Sequence, residues 1–129
     1  MKNRGITRLT AVLLCLVCLF LIQAPPLTQA ANKNSNDVTC TDLFFNDIGQ
    51  VSDDSIYYQA GATFTNNTKK KLKVTYYFFA VTGDNEEIEI WENTLMLQPL
   101  ESKEDYFDDV MRNSTRAKMK GYIVRFSVN

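Results

Sequence analysis

From residue 38 onward the apolar positions recur every second residue rather than every three or four. Ile56, Tyr58, Ala60, Ala62 and Phe64 alternate with mostly smaller or more polar neighbours. Leu72, Val74, Tyr76, Phe78 and Ala80 do the same against Lys71, Lys73, Thr75, Tyr77 and Phe79. Side chains on a strand point to opposite faces in turn, so a period of two predicts half-buried β-strands. Tyr122, Val124, Phe126 and Val128 predict a last strand of the same kind. Two stretches break the rhythm. Val38, Cys40 and Phe44 share one parity, while Leu43 and Phe45 take the other. Ile88 and Ile90 alternate with Glu87 and Glu89, but Leu95 and Leu97 fall on the opposite parity, which predicts a bulge or bend near Trp91 to Asn93.

Between these runs stand Asn46-Asp47-Ile48-Gly49, Ser52-Asp53-Asp54-Ser55, Asn66-Asn67-Thr68, Gly83-Asp84-Asn85 and Pro99 to Ser102. Such residues tolerate positive φ or bond their own backbone, so each cluster is expected to reverse the chain. Met111 to Lys120 fits a short helix or a loop equally well. The expectation is one all-β domain over residues 38–129, an antiparallel sandwich or barrel of six or seven strands.

The first 30 residues have another character. Lys2, Arg4 and Arg8 precede an apolar run from Leu9 to Ile22, Pro25-Pro26 ends any helix, and Thr28-Gln29-Ala30 supplies small residues before Ala31. Fourteen helical residues span about 21 Å, short of the roughly 30 Å of a bilayer core. Residues 1–30 therefore read as a secretory signal peptide cleaved before Ala31, with no membrane span left afterwards. Cys15 and Cys18 lie inside the apolar run without the small preceding residue of a lipidation site. Residues 31–37 read as a flexible leader. The protein is expected outside the cytoplasm, secreted or, in a bacterium, in the periplasm or at the cell surface.

Removing that segment changes the chemistry on offer. The whole chain holds 14 Lys+Arg and 15 Asp+Glu, but three of the cations go with the signal, leaving a domain near −4. There is no histidine, and Cys40 is the one thiol beyond the signal. The commonest general base, histidine-based nucleophile pairs, thiolate zinc sites and an intrachain disulfide framework are all excluded. An acidic extracytoplasmic domain is no nucleic-acid binder, and no cofactor is expected. Acids gather at Asp84, Glu86, Glu87, Glu89 and Glu92 and at Glu101, Glu104, Asp105, Asp108 and Asp109. They read as a solvated face and turn, with Asp53-Asp54 and Asp84-Glu86 the better calcium candidates.

The order of elements also resembles the FxLYD-domain family. Ala62-Thr63-Phe64-Thr65-Asn66-Asn67-Thr68, the lysines that follow, Phe78 of Phe78-Phe79-Ala80-Val81-Thr82, and Leu97-Gln98-Pro99-Leu100-Glu101-Ser102 fall where that family has its motifs. Ala62 and Leu100 stand where the family has glycine. The resemblance covers about residues 55–128. It implies an extracytoplasmic immunoglobulin-like β-sandwich with structural or binding roles and no catalytic residues to carry over.

The expected function is thus a non-catalytic binding module for a protein or cell-envelope polymer. Tyr57, Tyr77, Phe79 and Trp91 are the expected contacts, because Tyr77 and Phe79 occupy the outer parity of a strand whose inner side is already apolar. Lys69, Lys70, Lys71 and Lys73 form an electrostatic rim or blunt a sheet edge. Cys40 reads as a small core residue, the alternative being an intermolecular disulfide. The second function is a structural, self-assembling envelope protein joined through edge strands or Cys40, so the expected state is a monomer or weak homo-oligomer. Asn66 and Asn113 head Asn-x-Ser/Thr sequons, read as turn residues in a bacterium and as glycan sites in a eukaryotic secretory pathway.

Overall fold

The alternating pattern closes into two sheets in the computed structural model, which describes residues 28–31 and 36–129. The elements are β1 (Thr28–Ala31), β2 (Val38–Ser52), β3 (Ser55–Asn66), β4 (Leu72–Thr82), β5 (Glu87–Leu97), β6 (Ser102–Arg112), α1 (Asn113–Lys118) and β7 (Met119–Val128). One sheet has the order β1-β7-β4-β5 and the other β2-β3-β6. All pairings are antiparallel except that of β1 with β7. β2–β3 and β4–β5 are hairpins, whereas the connections β3–β4, β5–β6 and β6–β7 cross between the sheets. That is the antiparallel immunoglobulin-like sandwich expected of the sequence.

The inward parity supplies the core. Tyr58, Ala60, Ala62 and Phe64 of β3 face Val74, Tyr76, Phe78 and Ala80 of β4, all buried, with Val124 and Phe126 of β7 beside them. Phe64 lies 4.8 Å from Tyr76, and Phe78 meets Phe107 edge-on at 5.5 Å. Each such ring contributes about 1.5–3 kcal/mol by leaving water.

Both breaks in the alternation are bulges. On β2 the pairing steps from Thr41↔Thr63 to Phe44↔Gly61, so one residue is extra, and Asp42 takes φ +52 there. The face flips at that point, so Val38 and Cys40, then Leu43 and Phe45, all pack on the core. On β5 Phe78 pairs with Trp91 and Phe79 with Glu89, which makes Ile90 the extra residue, one place before the expected range.

Three expectations need correction. Asn46-Asp47-Ile48-Gly49 is no turn. β2 runs on to Ser52 and reverses only at Asp53-Asp54, and the turn-prone residues yield two more register shifts with Ile48 and Val51 as the extra residues. The acidic run after Glu101 is not a turn but the strand β6, whose Phe107 and Met111 are buried while Glu104, Asp108 and Asp109 are exposed as expected. The lysines do not blunt an edge, because β4 is a central strand. Lys69 to Lys71 are exposed in the β3–β4 turn at one end of the sandwich.

The signal expected over residues 1–30 lies outside the described residues except for its last three. These form β1 with Ala31, so the expected cleavage point falls inside that strand. Met111 to Lys120 holds the short helix α1, tied to β2 by Arg116. This buried guanidinium donates from Nε at 2.9 and 3.1 Å to both oxygens of Asp47 and from Nη2 at 2.9 Å, and lies 5.6 Å from the Phe45 ring centre.

Candidate functional site

The four aromatic contacts expected from the sequence do not share a surface. Trp91 sits inside. The Ile90 bulge turns it onto the face of Phe78, and its ring stacks on Phe107 at 4.6 Å and 4°. It closes the gap between β5 and β6, next to a polar clasp in which Tyr76 Oη and Asn93 Nδ2 donate to Asp105 Oδ2 at 2.6 and 2.8 Å. Trp91 therefore faces away from Tyr77 and Phe79. Tyr77 and Phe79 lie on the outer face of the four-stranded sheet, half-buried, with ring centres 6.4 Å apart. Glu92 and partial desolvation hold the Tyr77 phenol above its ordinary value. Lys73 is on the same face nearer the end of β4, apart from Lys69 to Lys71. Tyr57 is on the opposite side of the molecule.

The outer face of β2-β3-β6 carries the more open apolar surface. On its central strand the outward residues are Tyr57, Gln59, Gly61, Thr63 and Thr65. Tyr57 has Gly49 and Val110 as neighbours, Gln59 has Asn46 and Asp108, and Gly61 has Phe44 and Tyr106. Tyr106 is 57% exposed and Val110 45%. Gly61 makes room for this arrangement, because a Cβ there would stand 2.5 Å from the Asp105 carbonyl oxygen and 2.9 Å from Cε1 of Phe44. The Phe44 ring thus lies across the strand where a side chain would be. Gln59 Nε2 donates to Asp108 Oδ1 at 2.9 Å, and exposed Asn46 stands opposite Gln59 at the patch margin. Partial desolvation and then Asp108 raise the Tyr57 phenol. Rings interleaved with amides and a carboxylate offer flat apolar platforms alongside hydroxyl-bonding groups.

Sequence reasoning missed Phe44, Tyr106 and Val110. Their signal was present in β6 as a two-residue alternation, with Tyr106 and Val110 on one parity and Phe107 and Met111 on the other, but the acids between them hid it.

Cys40 faces the core opposite Phe64, half-buried, and burial followed by the nearby Asp42 pushes its thiol up to about 12. It stays protonated, which makes it a poor partner for disulfide exchange. Asp54 accepts from Ser52 Oγ at 2.7 Å and Ser55 Oγ at 3.0 Å, which holds its carboxyl below the usual range. Its lone pairs serve the turn, and among the described residues no three acidic or cysteine side chains converge as a metal set.

No protein-family model matches the chain, and no curated protein matches it. Solved structures with a similar backbone include Northeast Structural Genomics Consortium target SoR45, at 14% identity and a TM-score of 0.46 over 59% of this chain; the chain spans 64% of that protein. A DUF1425 family member from Shewanella sp. pv-4 is 14% identical, with a TM-score of 0.43 over 76% of this chain and 82% of its own. Campylobacter jejuni cj0090 is 9% identical, with a TM-score of 0.39 over 81% of this chain and 100% of its own. The sandwich rests on strand order and register rather than on these likenesses.

Proposed function

We propose that this protein is a secreted or cell-envelope binding module of the FxLYD-like kind, without catalytic chemistry or cofactor, whose contact surface is the outer face of β2-β3-β6. The observation that supports the reading is the open patch of Tyr106 and Val110 beside half-buried Tyr57 and Phe44, bordered by Gln59, Asn46 and Asp108. Between a protein and an envelope polymer, the mixture favours the polymer. Tyrosine rings cover the apolar faces of sugars while amide and carboxylate groups bond hydroxyls.

Self-assembly through sheet edges is the weaker reading. The outer edge of β2 is broken by three register shifts, and the strands β5 and β6 at the opposite side carry Glu87, Glu89, Glu92, Glu104, Asp105, Asp108 and Asp109. Bulges and charges are the ordinary means of keeping edges from pairing. Co-sedimentation with isolated cell-envelope polysaccharide tests the proposal. The wild type is expected to pellet with the polymer, and Tyr57→Ala/Tyr106→Ala to remain in solution while still folded. A double variant that pellets like the wild type would overturn it.

A further inference from the structure

We propose that the polymer taken by the β2-β3-β6 face is a cationic one, a polysaccharide whose rings carry free amino groups. This inference rests on the binding reading above and names the chemistry of its ligand. The charge on the face has a single sign. From the level of Thr65 to that of Tyr57, the outward positions of the three strands include the acids Glu104 and Asp108 and no lysine or arginine. Both acids are exposed, as is Asp42 in the bulge between Thr41 and Phe44. The cations close by in the chain serve elsewhere. Lys103 takes the core parity of β6, opposite Phe64. Arg112 lies one level beyond Val110, opposite Ser55, where its charge adds to the hydrogen bonds that hold the Asp54 carboxyl below its usual range. Arg116 is buried on Asp47.

The acids are interleaved with the rings. Tyr106 stands between Glu104 and Asp108 on one strand, so a carboxylate lies about 7 Å along β6 to either side of it. Tyr57 is the diagonal neighbour of Asp108 across the β3–β6 pairing, and after partial desolvation it is Asp108 that raises the Tyr57 phenol. Gln59 Nε2, donating to Asp108 Oδ1 at 2.9 Å, fixes that carboxylate between the two rings. An acid flanked by tyrosines holds an ammonium in two ways, by a charge-assisted hydrogen bond and through the negative faces of the rings. A sugar ring lying on Tyr106 presents its substituents to the acids on either side. A neutral glycan would use the rings and the amides but leave both carboxylates without a counter-charge. A uronic acid or a phosphate-bearing polymer would meet them with like charge. The amino sugar is the class that matches rings and acids together.

Titration of the purified protein at low salt with a β-1,4-linked glucosamine oligosaccharide, against its fully N-acetylated counterpart, tests this. The free amine form is expected to bind about five- to tenfold more tightly, an advantage that added salt removes. Glu104→Gln/Asp108→Asn should bring it down to within about twofold of the N-acetylated form on the wild type, and the asparagine still accepts from Gln59 so the face keeps its shape. An oligolysine of equal charge should bind more weakly, since it offers no ring for the tyrosines to cover. Equal affinity for the amine and N-acetylated forms would overturn the proposal and leave the binding reading standing. So would an oligolysine that binds as tightly as the glucosamine oligomer. Binding of neither oligosaccharide overturns it as well, and co-sedimentation with the native polymer then decides the binding reading by itself.

Discussion

Replacing Asn66 by alanine should be among the most damaging single changes in this chain. The residue is 1% exposed and stands where β3 leaves its sheet for β4, directly against the turn by which β5 returns to β6. Its Nδ2 donates to the carbonyls of Lys70 at 2.7 Å and Gln98 at 2.9 Å, and its Oδ1 accepts from Thr68 N at 2.9 Å and Thr68 Oγ1 at 2.8 Å. One amide therefore laces together two of the three crossings between the sheets, beside the backbone bond from Asn66 N to the Glu101 carbonyl. Four bonds at about 0.5–1.5 kcal/mol net, less what a water admitted to the vacated space restores, give a loss of about 3 kcal/mol for Asn66→Ala. For a domain of this size that corresponds to a fall in Tm of about 12–24 °C. Asn66→Asp keeps the shape and the acceptor but turns both donors into lone pairs aimed at carbonyl oxygens, and should be worse still at neutral pH. Its carboxyl would be held protonated in the folded state, with a folded pKa above the unfolded one. Its penalty is thus smallest below the unfolded aspartate value of about 3.9 and grows as pH rises through the folded one. Urea unfolding of both variants at two pH values is the assay. A loss under about 1 kcal/mol for alanine, or an aspartate variant as stable as wild type at pH 7, would refute the reasoning.

Three further outcomes are expected. Gly61→Ala would bring a Cβ to 2.5 Å from the Asp105 carbonyl oxygen, so it should cost about 3 kcal/mol in urea unfolding, and a cost below about 0.5 would contradict the close approach. Leu100 holds φ +59 with its side chain 65% exposed, so Leu100→Gly relieves left-handed strain with little loss of buried surface. It should raise stability by about 0.5–1 kcal/mol, and a lower Tm would count against this. Burial pushes the phenols of Tyr58 and Tyr76 well above their ordinary value. Their contribution is fully present below the unfolded value near 10 and is lost as pH rises toward the folded values, at about 1.4 kcal/mol per pH unit for each. Tyrosinate absorbance should therefore show two rings ionising only with loss of near-ultraviolet circular dichroism. Smooth ionisation of all six with the fold intact would refute their burial.

The inner faces of β3, β4 and β7 were legible because nothing interrupts their alternation, and hydrophobic burial enforces parity along an unbroken strand. The bulges were not legible in position. A parity change shows that one residue is extra, but the pairing partner decides which, and moving it from Trp91–Asn93 to Ile90 turned Trp91 onto the face that packs against the core. Asn46 to Gly49 has turn chemistry, yet pairing with Tyr58 and Tyr57 held it as an irregular strand. The candidate face was half legible. Tyr57 could be placed outward from its own strand, while Phe44 and Tyr106 on the same face come from strands far from it in the chain, beyond any local pattern. The glycine position of the family resemblance is the reverse case, since the positive φ of Leu100 supplies the physical reason for glycine there.

The claim that the outer face of β2-β3-β6 is the contact surface is tested most directly by amide chemical-shift mapping during titration with soluble fragments of the envelope polysaccharide. Shifts that saturate and cluster on Phe44, Tyr57, Gln59, Tyr106, Asp108 and Val110, with Tyr77 and Phe79 unmoved, are the predicted result. Saturable shifts centred on Tyr77 and Phe79, or none anywhere on the β2-β3-β6 face, would contradict it.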